Sequence, residues 1–240
     1  MKRRWFSFGV RAILKNDMKV PTLKKVTIIH TSFISVDTLT GLFSELAPEV
    51  EVHHIVDDSM LPEIMAAGGV TSGVIKRFCA YAVQAEAAGA DLIFSQCSSA
   101  GLAADTAEKM LRIPLLKVDQ AMAEEAVALG EKIAVVATIG TTLEPSVKLI
   151  EQTAQNLGKH IQTVSYLLTD AYEALFLRND PLAHNAIIIE KIREIEKDCD
   201  VIVLAQGSMV TLLDELDSVS IPLLTSPKLG VVRAKEMLGL

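Results

Sequence analysis

GADLIFSQCSSA (residues 89–100) and CDVIVLAQGSM (residues 199–209) decide the fold, because they are two copies of one pattern. Each is a short aliphatic run that closes on Gln, one small residue and Ser. The first closes on Gln96-Cys97-Ser98 and the second on Gln206-Gly207-Ser208, an offset of 110. Two further pairs keep the same order. KKVTIIHTSF from Lys24 matches EKIAVVATIGTT from Glu131, which sets Thr31 on Thr138 at an offset of 107. Ile113-Pro114-Leu115-Leu116 matches Ile221-Pro222-Leu223-Leu224 at an offset of 108. Ordered matches at nearly one offset indicate a duplicated unit of about 108 residues.

Within each half, short β-branched runs alternate with longer helical patterns. Strands are predicted over 26–30, 50–55, 91–95 and 114–118, then over 133–138, 161–166, 201–205 and 222–226. Helical stretches fall between them, among them 72–88, 101–110, 119–129, 143–157, 183–198 and 208–216. Alternating β and α elements imply parallel sheets joined by right-handed crossovers. The expected fold is therefore α/β, with two pseudo-symmetric doubly wound lobes. Each lobe carries a four-stranded, mostly parallel sheet, and the active site lies in the cleft between them. The first lobe is assigned to 18–118 plus 227–240, the final helix folding back onto it, and the second lobe to 119–226.

Composition supports a packed soluble protein. Of 240 residues 50% are hydrophobic, 22% charged and 5% aromatic, so the core is aliphatic and disorder is excluded. The net charge of −7 argues against nucleic acid as the main partner, since phosphate neutralisation needs a basic surface. Residues 1–17 carry five basic side chains against Asp17 alone, in contrast to the acidic remainder. Arg11 interrupts their apolar run, which is too short for a signal peptide, and the segment reads as a disordered extension. No stretch reaches the ~20 apolar residues of a membrane span, so no membrane partner is expected. Cys79, Cys97 and Cys199 lack the spacing of a disulfide framework, which points to a reduced, cytoplasmic setting.

Ligands in open parallel sheets bind beyond the carboxyl ends of the strands. That rule nominates His30, Thr31, Ser32, Asp57, Asp58, Ser59, Gln96, Cys97, Ser98 and Ser99 from the first half. From the second half it nominates Thr138, Gly140, Thr141, Thr142, Gln206, Gly207, Ser208 and Met209. The set is rich in hydroxyls and amides and contains no Lys or Arg. Cys97 stands out, because Ser98-Ser99-Ala100-Gly101 opens a helix directly after it. Free N–H groups and the positive end of a helix dipole favour a thiolate, so its pKa is expected to fall. The same donors suit a substrate carboxylate or a developing enolate. A buried packing cysteine is the plainer alternative. Cys79 sits mid-helix and Cys199 precedes its strand, so neither is expected at the cleft.

At these residues the chain resembles the aspartate/glutamate racemase superfamily, which includes hydantoin racemases, maleate isomerases and arylmalonate decarboxylase. The resemblance covers about residues 25–238. It rests on His30-Thr31-Ser32, Ser95-Gln96-Cys97-Ser98-Ser99, Thr138-Ile139-Gly140-Thr141-Thr142 and Ala205-Gln206-Gly207-Ser208-Met209. It implies cofactor-independent racemisation or epimerisation at a carbon alpha to a carboxylate, of an amino acid, hydantoin or related acid. Cys97 would be the acid/base. Thr31, Ser32, Gln96, Ser98, Ser99, Thr138, Thr141, Thr142, Gln206, Gly207 and Ser208 would bind substrate. Family members carry a second cysteine in the second half, where this chain has Gly207.

Two-base racemisation needs an acid and a base on opposite faces of the carbon, so Gly207 removes one partner. Arylmalonate decarboxylase also works with one cysteine opposite a glycine, although it keeps the cysteine of the other half. A single-cysteine decarboxylase or cis–trans isomerase is therefore an alternative, and a non-catalytic small-molecule binding protein is another. His30 reads either as a second base or carboxylate anchor, or as a structural histidine at the seam. Asp57 reads as a partner for a cationic group or as a helix cap, and Met209 is a further candidate. No Cys/His/Asp spacing suits zinc and no phosphate-binding loop appears. No cofactor or metal is expected, the partner is a small carboxylate-containing substrate, and assembly is expected to be homo-oligomeric.

Overall fold

The computed structural model describes residues 23–240. The expectation for residues 1–17 lies outside the described residues. Seventeen of the described segments are strands or α-helices that pair the two halves almost one to one. In the first half they run β1 (Lys24–His30), α1 (Val36–Leu46), β2 (Val50–Val56), α2 (Met60–Ala67), α3 (Ser72–Ala87), β3 (Leu92–Ser95), α4 (Gly101–Glu108) and β4 (Leu115–Lys117). Next come α5 (Gln120–Leu129), β5 (Lys132–Ala137), α6 (Gly140–Asn156), β6 (Gln162–Leu167), α7 (Thr169–Tyr172), α8 (Pro181–Ile195), β7 (Val201–Leu204), β8 (Leu223–Thr225) and α9 (Ser226–Met237).

Both sheets have the same order, β2-β1-β3-β4 and β6-β5-β7-β8, and every ladder is parallel. The central strands are buried from both sides, which is why they read as unbroken aliphatic runs. On one face of the first sheet Ile29 and Ile93 pack with Phe78, Ala82 and Ala104. On the other, Val26, Ile28 and Phe94 pack with Phe43 and Leu39 of α1 and with Val231 and Ala234 of α9. The second sheet is likewise covered by α5 and α6 on one face and α8 on the other.

The duplication extends to the hydrogen bonds. The Asp91 carboxylate accepts from the Lys25 backbone N–H at 2.8 Å, and Asp200 accepts from Lys132 N–H at 2.8 Å. Each aspartate ties the start of one central strand to the start of its neighbour, so the two sheets are registered alike. Local signals set the helix ends. The Thr71 hydroxyl accepts from Val74 N–H at 3.1 Å, and Asp180 from Ala183 N–H at 3.0 Å with Pro181 next. Gly68, at φ 70°, closes α2 in the left-handed conformation.

Two expectations change in detail. The sheets are wholly rather than mostly parallel. The stretch predicted as a helix over 208–216 is wound as a 3-10 helix, Gly207–Glu215, so the second half departs here from α4. Three or four residues per turn both satisfy a short amphipathic pattern, and sequence period alone does not separate them.

α9 lies close enough to the first sheet that a Cβ on Gly230 would stand 2.8 Å from the Val118 carbonyl oxygen and 3.0 Å from Phe94 Cζ. Backbone cannot yield as a flexible side chain can. Gly230→Ala is expected to destabilise the fold by about 1–3 kcal/mol, read as a lowered midpoint in urea denaturation. An unchanged midpoint would mean that α9 shifts freely.

Candidate active site

Parallel strands of both sheets end at one cleft, where a cavity of about 470 Å³ opens. The first half lines it with Thr31, Ser32, Ile34 and Ser35 after β1, with Thr38 and Leu39 of α1, and with Leu61. Gln96, Cys97, Ser98 and Ser99 after β3 and Val118 after β4 complete that side. The second half contributes Ile139 and Thr142 at the start of α6, Phe176, and Ala205, Gln206, Gly207 and Ser208 after β7. Val210, Thr211, Ser226 and Pro227 complete it. Among the described residues no Lys, Arg, His, Asp or Glu lines this cavity. An anion held there must be held by hydroxyls, amides and backbone N–H groups. Across the seam Ser99 Oγ and Thr142 Oγ1 lie 3.0 Å apart, buried, with Thr141 Oγ1 at 3.5 Å from Ser99 Oγ.

Cys97 is half-buried on the cavity wall, at the turn between β3 and a short 3-10 helix, Ser98–Ala100. Burial pushes its thiol above the ordinary value. The Thr31 hydroxyl, the Ser99 and Ala100 backbone N–H groups and the Ser99 hydroxyl pull the other way without overcoming burial. This corrects the expected fall in pKa: the donors are present, but losing water costs a thiolate more than they return. Cys97 therefore rests as a thiol. A Cβ on Gly207 would meet only Pro227 Cγ, at 3.7 Å, so neither packing nor positive φ demands glycine there.

The repeat is broken at the ends of the central strands. In the second half Thr138 donates from its hydroxyl to Gln206 Oε1 at 3.0 Å, and its backbone N–H donates to the same oxygen. In the first half Gln96 Oε1 is buried without a partner, and the matching threonine, Thr31, serves Cys97 instead.

Thr31, Ser32, Gln96, Cys97, Ser98, Ser99, Thr142, Gln206, Gly207 and Ser208 are brought together as nominated. Thr138 stands behind Gln206, and Thr141 at the seam, rather than on the wall. Met209 is fully buried in the core beneath the second sheet. Asp57 is turned away into a network: its carboxylate accepts from the Ser59 hydroxyl and N–H and from Tyr81 OH at 2.9 Å, with Arg77 at 3.5 Å. Those bonds hold its carboxyl below the usual carboxylate range despite partial burial. His30 is fully buried behind the wall, hydrogen-bonded to Ser35 and His54. Cys79 is buried in α3, and Cys199 donates to the Ile195 carbonyl before β7.

Sequence reasoning missed Val118, Ser226 and Pro227, although the strand-end rule applied to β4 and β8 finds them. It also missed Ser35 and Thr38, which α1 carries back to the cleft, and Phe176. Phe176 lies in a π-helical turn, Glu173–Leu177, stacked on Tyr172 at 4.8 Å between ring centroids. Nothing in the sequence marks that turn. Among the described residues no cluster of three His, Cys, Asp or Glu could hold a metal ion, and no helix is long and apolar enough to cross a membrane.

The model of the Asp/Glu/Hydantoin racemase family matches residues 30–234. The chain belongs to this family. Solved racemases share its fold at low identity. Glutamate racemase from Francisella tularensis, in complex with D-glutamate, superposes with a TM-score of 0.67 at 14% identity, covering 90% of this chain and 81% of that one. The aspartate racemase of Picrophilus torridus gives 0.64 at 16%, covering 89% and 94%. Allantoin racemase from Klebsiella pneumoniae gives 0.60 at 18%, covering 90% and 89%. No curated protein matches the chain in sequence. Membership in the racemase family accounts for two like sheets meeting at one cleft.

Two measurements probe the electrostatics of this racemase-fold site. The rate of Cys97 alkylation against pH is expected to rise with a midpoint above the ordinary thiol value of about 8.5. Thr31→Val, which removes a donor to the thiolate, raises that midpoint further; a midpoint below the ordinary value contradicts the assignment. His30 is lowered from 6.5 to about 4 by burial first and by His54 second. The unfolded chain therefore takes up a proton that folded His30 refuses, and stability falls as pH drops from 6.5 toward about 4. Urea denaturation of the wild type and His30→Asn across that window should show a shallower loss in the variant.

Proposed function

We propose that this protein is a cofactor-independent enzyme that moves a proton at a carbon alpha to a carboxylate, with Cys97 as the proton carrier. The observation that carries the reading is the placement of Cys97. It lies on a cavity where hydroxyl and amide groups share the wall with apolar side chains, at the carboxyl ends of two parallel sheets, in a racemase-family chain. Ser98, Ser99 and Thr142 hold the carboxylate together with backbone N–H groups, and the same donors stabilise the enolate as charge moves onto its oxygen. Racemisation or epimerisation of an amino acid, hydantoin or related acid is the first reading.

A second reading has specific support. Gly207 stands where the repeat places the counterpart of Cys97, and Cys97 rests as a thiol, ready to donate. One-sided protonation suits an enolate formed by loss of carbon dioxide from a malonate, which needs a single donor.

The test is wild type against Cys97→Ala with aspartate, glutamate, 5-substituted hydantoins and arylmalonates in heavy water, read by NMR and chiral chromatography. Deuterium is expected at the alpha carbon, with the rate reduced by about 100-fold or more in Cys97→Ala. Interconversion of enantiomers supports racemisation, whereas one deuterated enantiomer with carbon dioxide release supports decarboxylation. Equal rates in the two proteins remove Cys97 from the chemistry, and no exchange with any compound favours a binding protein. Gly207→Cys should fold normally, since its Cβ would make only an ordinary contact with Pro227 Cγ at 3.7 Å, and should convert one-sided protonation into formation of both enantiomers.

A further inference from the structure

Ser35 occupies the N-cap position of α1, yet its side chain caps nothing. A serine there usually accepts a hydrogen bond from the first helical turn, worth about 1 kcal/mol. Instead Ser35 Oγ lies 3.2 Å from His30 Nδ1. His30 Nε2 lies 2.9 Å from His54 Nδ1, and His54 Nε2 lies 3.1 Å from Thr40 Oγ1. Four side chains thus join the cavity, which Ser35 lines, to the exposed surface of α1, which Thr40 occupies. The fold puts them in line. Ile28 pairs with His54 and His30 with Val56, so both imidazoles stand on the face of the first sheet that α1 covers. Val36 and Thr40 are one turn apart on that helix.

The direction of every hydrogen in the chain follows from its outer end. Thr40 has one hydroxyl hydrogen and gives it to the Val36 carbonyl at 2.7 Å. Toward His54 it can only accept, so His54 carries its hydrogen on Nε2. Burial disfavours the charged form of His54, so its Nδ1 is bare and accepts from His30 Nε2–H. His30, neutral as well, then accepts at Nδ1 from the Ser35 hydroxyl. Ser35, a residue of the cavity wall, keeps both of its lone pairs uncommitted within the chain.

We propose that Ser35, His30, His54 and Thr40 form an ordered proton path between the cavity and solvent, with Ser35 as a second proton-handling group besides Cys97. In the outward direction Ser35 Oγ takes a proton from the substrate carbon as its own hydrogen passes to His30 Nδ1. His30 Nε2–H passes to His54 Nδ1, His54 Nε2–H passes to Thr40 Oγ1, and Thr40 releases its hydrogen to bulk water. One bond to hydrogen forms for each that breaks. The electron pair of the C–H bond stays on the substrate as the enolate, and both imidazoles end neutral with their tautomers inverted. The reverse sequence restores them and delivers a proton inward. No imidazolium is formed, which matters because burial and His54 disfavour charge on His30. His53, which also disfavours charge on His54, pairs with Glu51 at 3.1 Å and stands on the opposite face of β2.

The catalytic part of this inference rests on the proton-transfer reading, so two readouts are used on the full chain. The first needs no substrate. In ¹⁵N-histidine NMR near neutral pH, His30 and His54 are both expected as Nε2–H tautomers. The buried His30 Nε2 hydrogen should exchange readily with water, and His54→Phe and Thr40→Val should both slow that exchange. An Nδ1–H tautomer at either ring, or exchange unaltered in both variants, overturns the path. The second readout is kcat and KM for whichever tested compound exchanges its alpha hydrogen. Ser35→Ala and His54→Phe should lower kcat about tenfold or more with KM little changed, and Ser35→Thr should restore much of the loss. Variants that lower thermal stability while leaving kcat and hydrogen exchange intact show a packing role and overturn it. If wild type exchanges no compound, the proton-transfer reading fails by itself, and the NMR result still decides the path.

Discussion

Parallel strands end together, and that constraint shapes everything found at the cleft. In each half the order β2-β1-β3-β4, or its counterpart β6-β5-β7-β8, forces every crossover to return through a helix. The carboxyl ends of the strands and the starts of the following helices therefore share one side of each sheet. Backbone N–H groups without intrahelical partners collect there. Where the two sheets face each other, hydroxyl, amide and apolar side chains line the gap, and among the described residues no cation is placed in it. The Ser99–Thr142 hydroxyl contact marks where the starts of the two helical segments meet.

Duplication supplies the frame, and the two halves depart from it at the cleft. Asp91 and Asp200 make the same bond to Lys25 and Lys132, since a register once disturbed would turn every core side chain to the wrong face. At the strand ends no such penalty applies, and the halves diverge. Thr138 is spent on Gln206, whereas Thr31 is released to Cys97. Gly207 stands where the repeat sets the counterpart of Cys97, and the helix it opens tightens into a 3-10 form. Among the described residues no other ionisable side chain lines the cavity, and burial keeps Cys97 a thiol.

Much was legible in the residues alone. Short β-branched runs, helical spacing between them and three matched segments specified two like α/β halves, because burial on both faces of a parallel sheet demands continuous aliphatic strands. The strand-end rule placed Cys97, Gly207 and their hydroxyl-bearing neighbours on one cavity, since topology confines loop ends to one side. It overreached at Asp57 and Met209. Asp57 is held by Ser59, Tyr81 and Arg77, and Met209 turns into the core.

The sequence by itself determined the repeat, the parallel sheets and the identity of the residues at the strand ends, all of which depend on local period and short-range pattern. Only the tertiary structure decided the state of Cys97, because desolvation depends on the whole enclosure and outweighs the nearby donors. It alone joined Ser35, His30, His54 and Thr40, which come from one strand, one helix start and a neighbouring strand. Their contacts exist only in three dimensions, where β1 and β2 bring His30 and His54 under α1 beside Ser35 and Thr40.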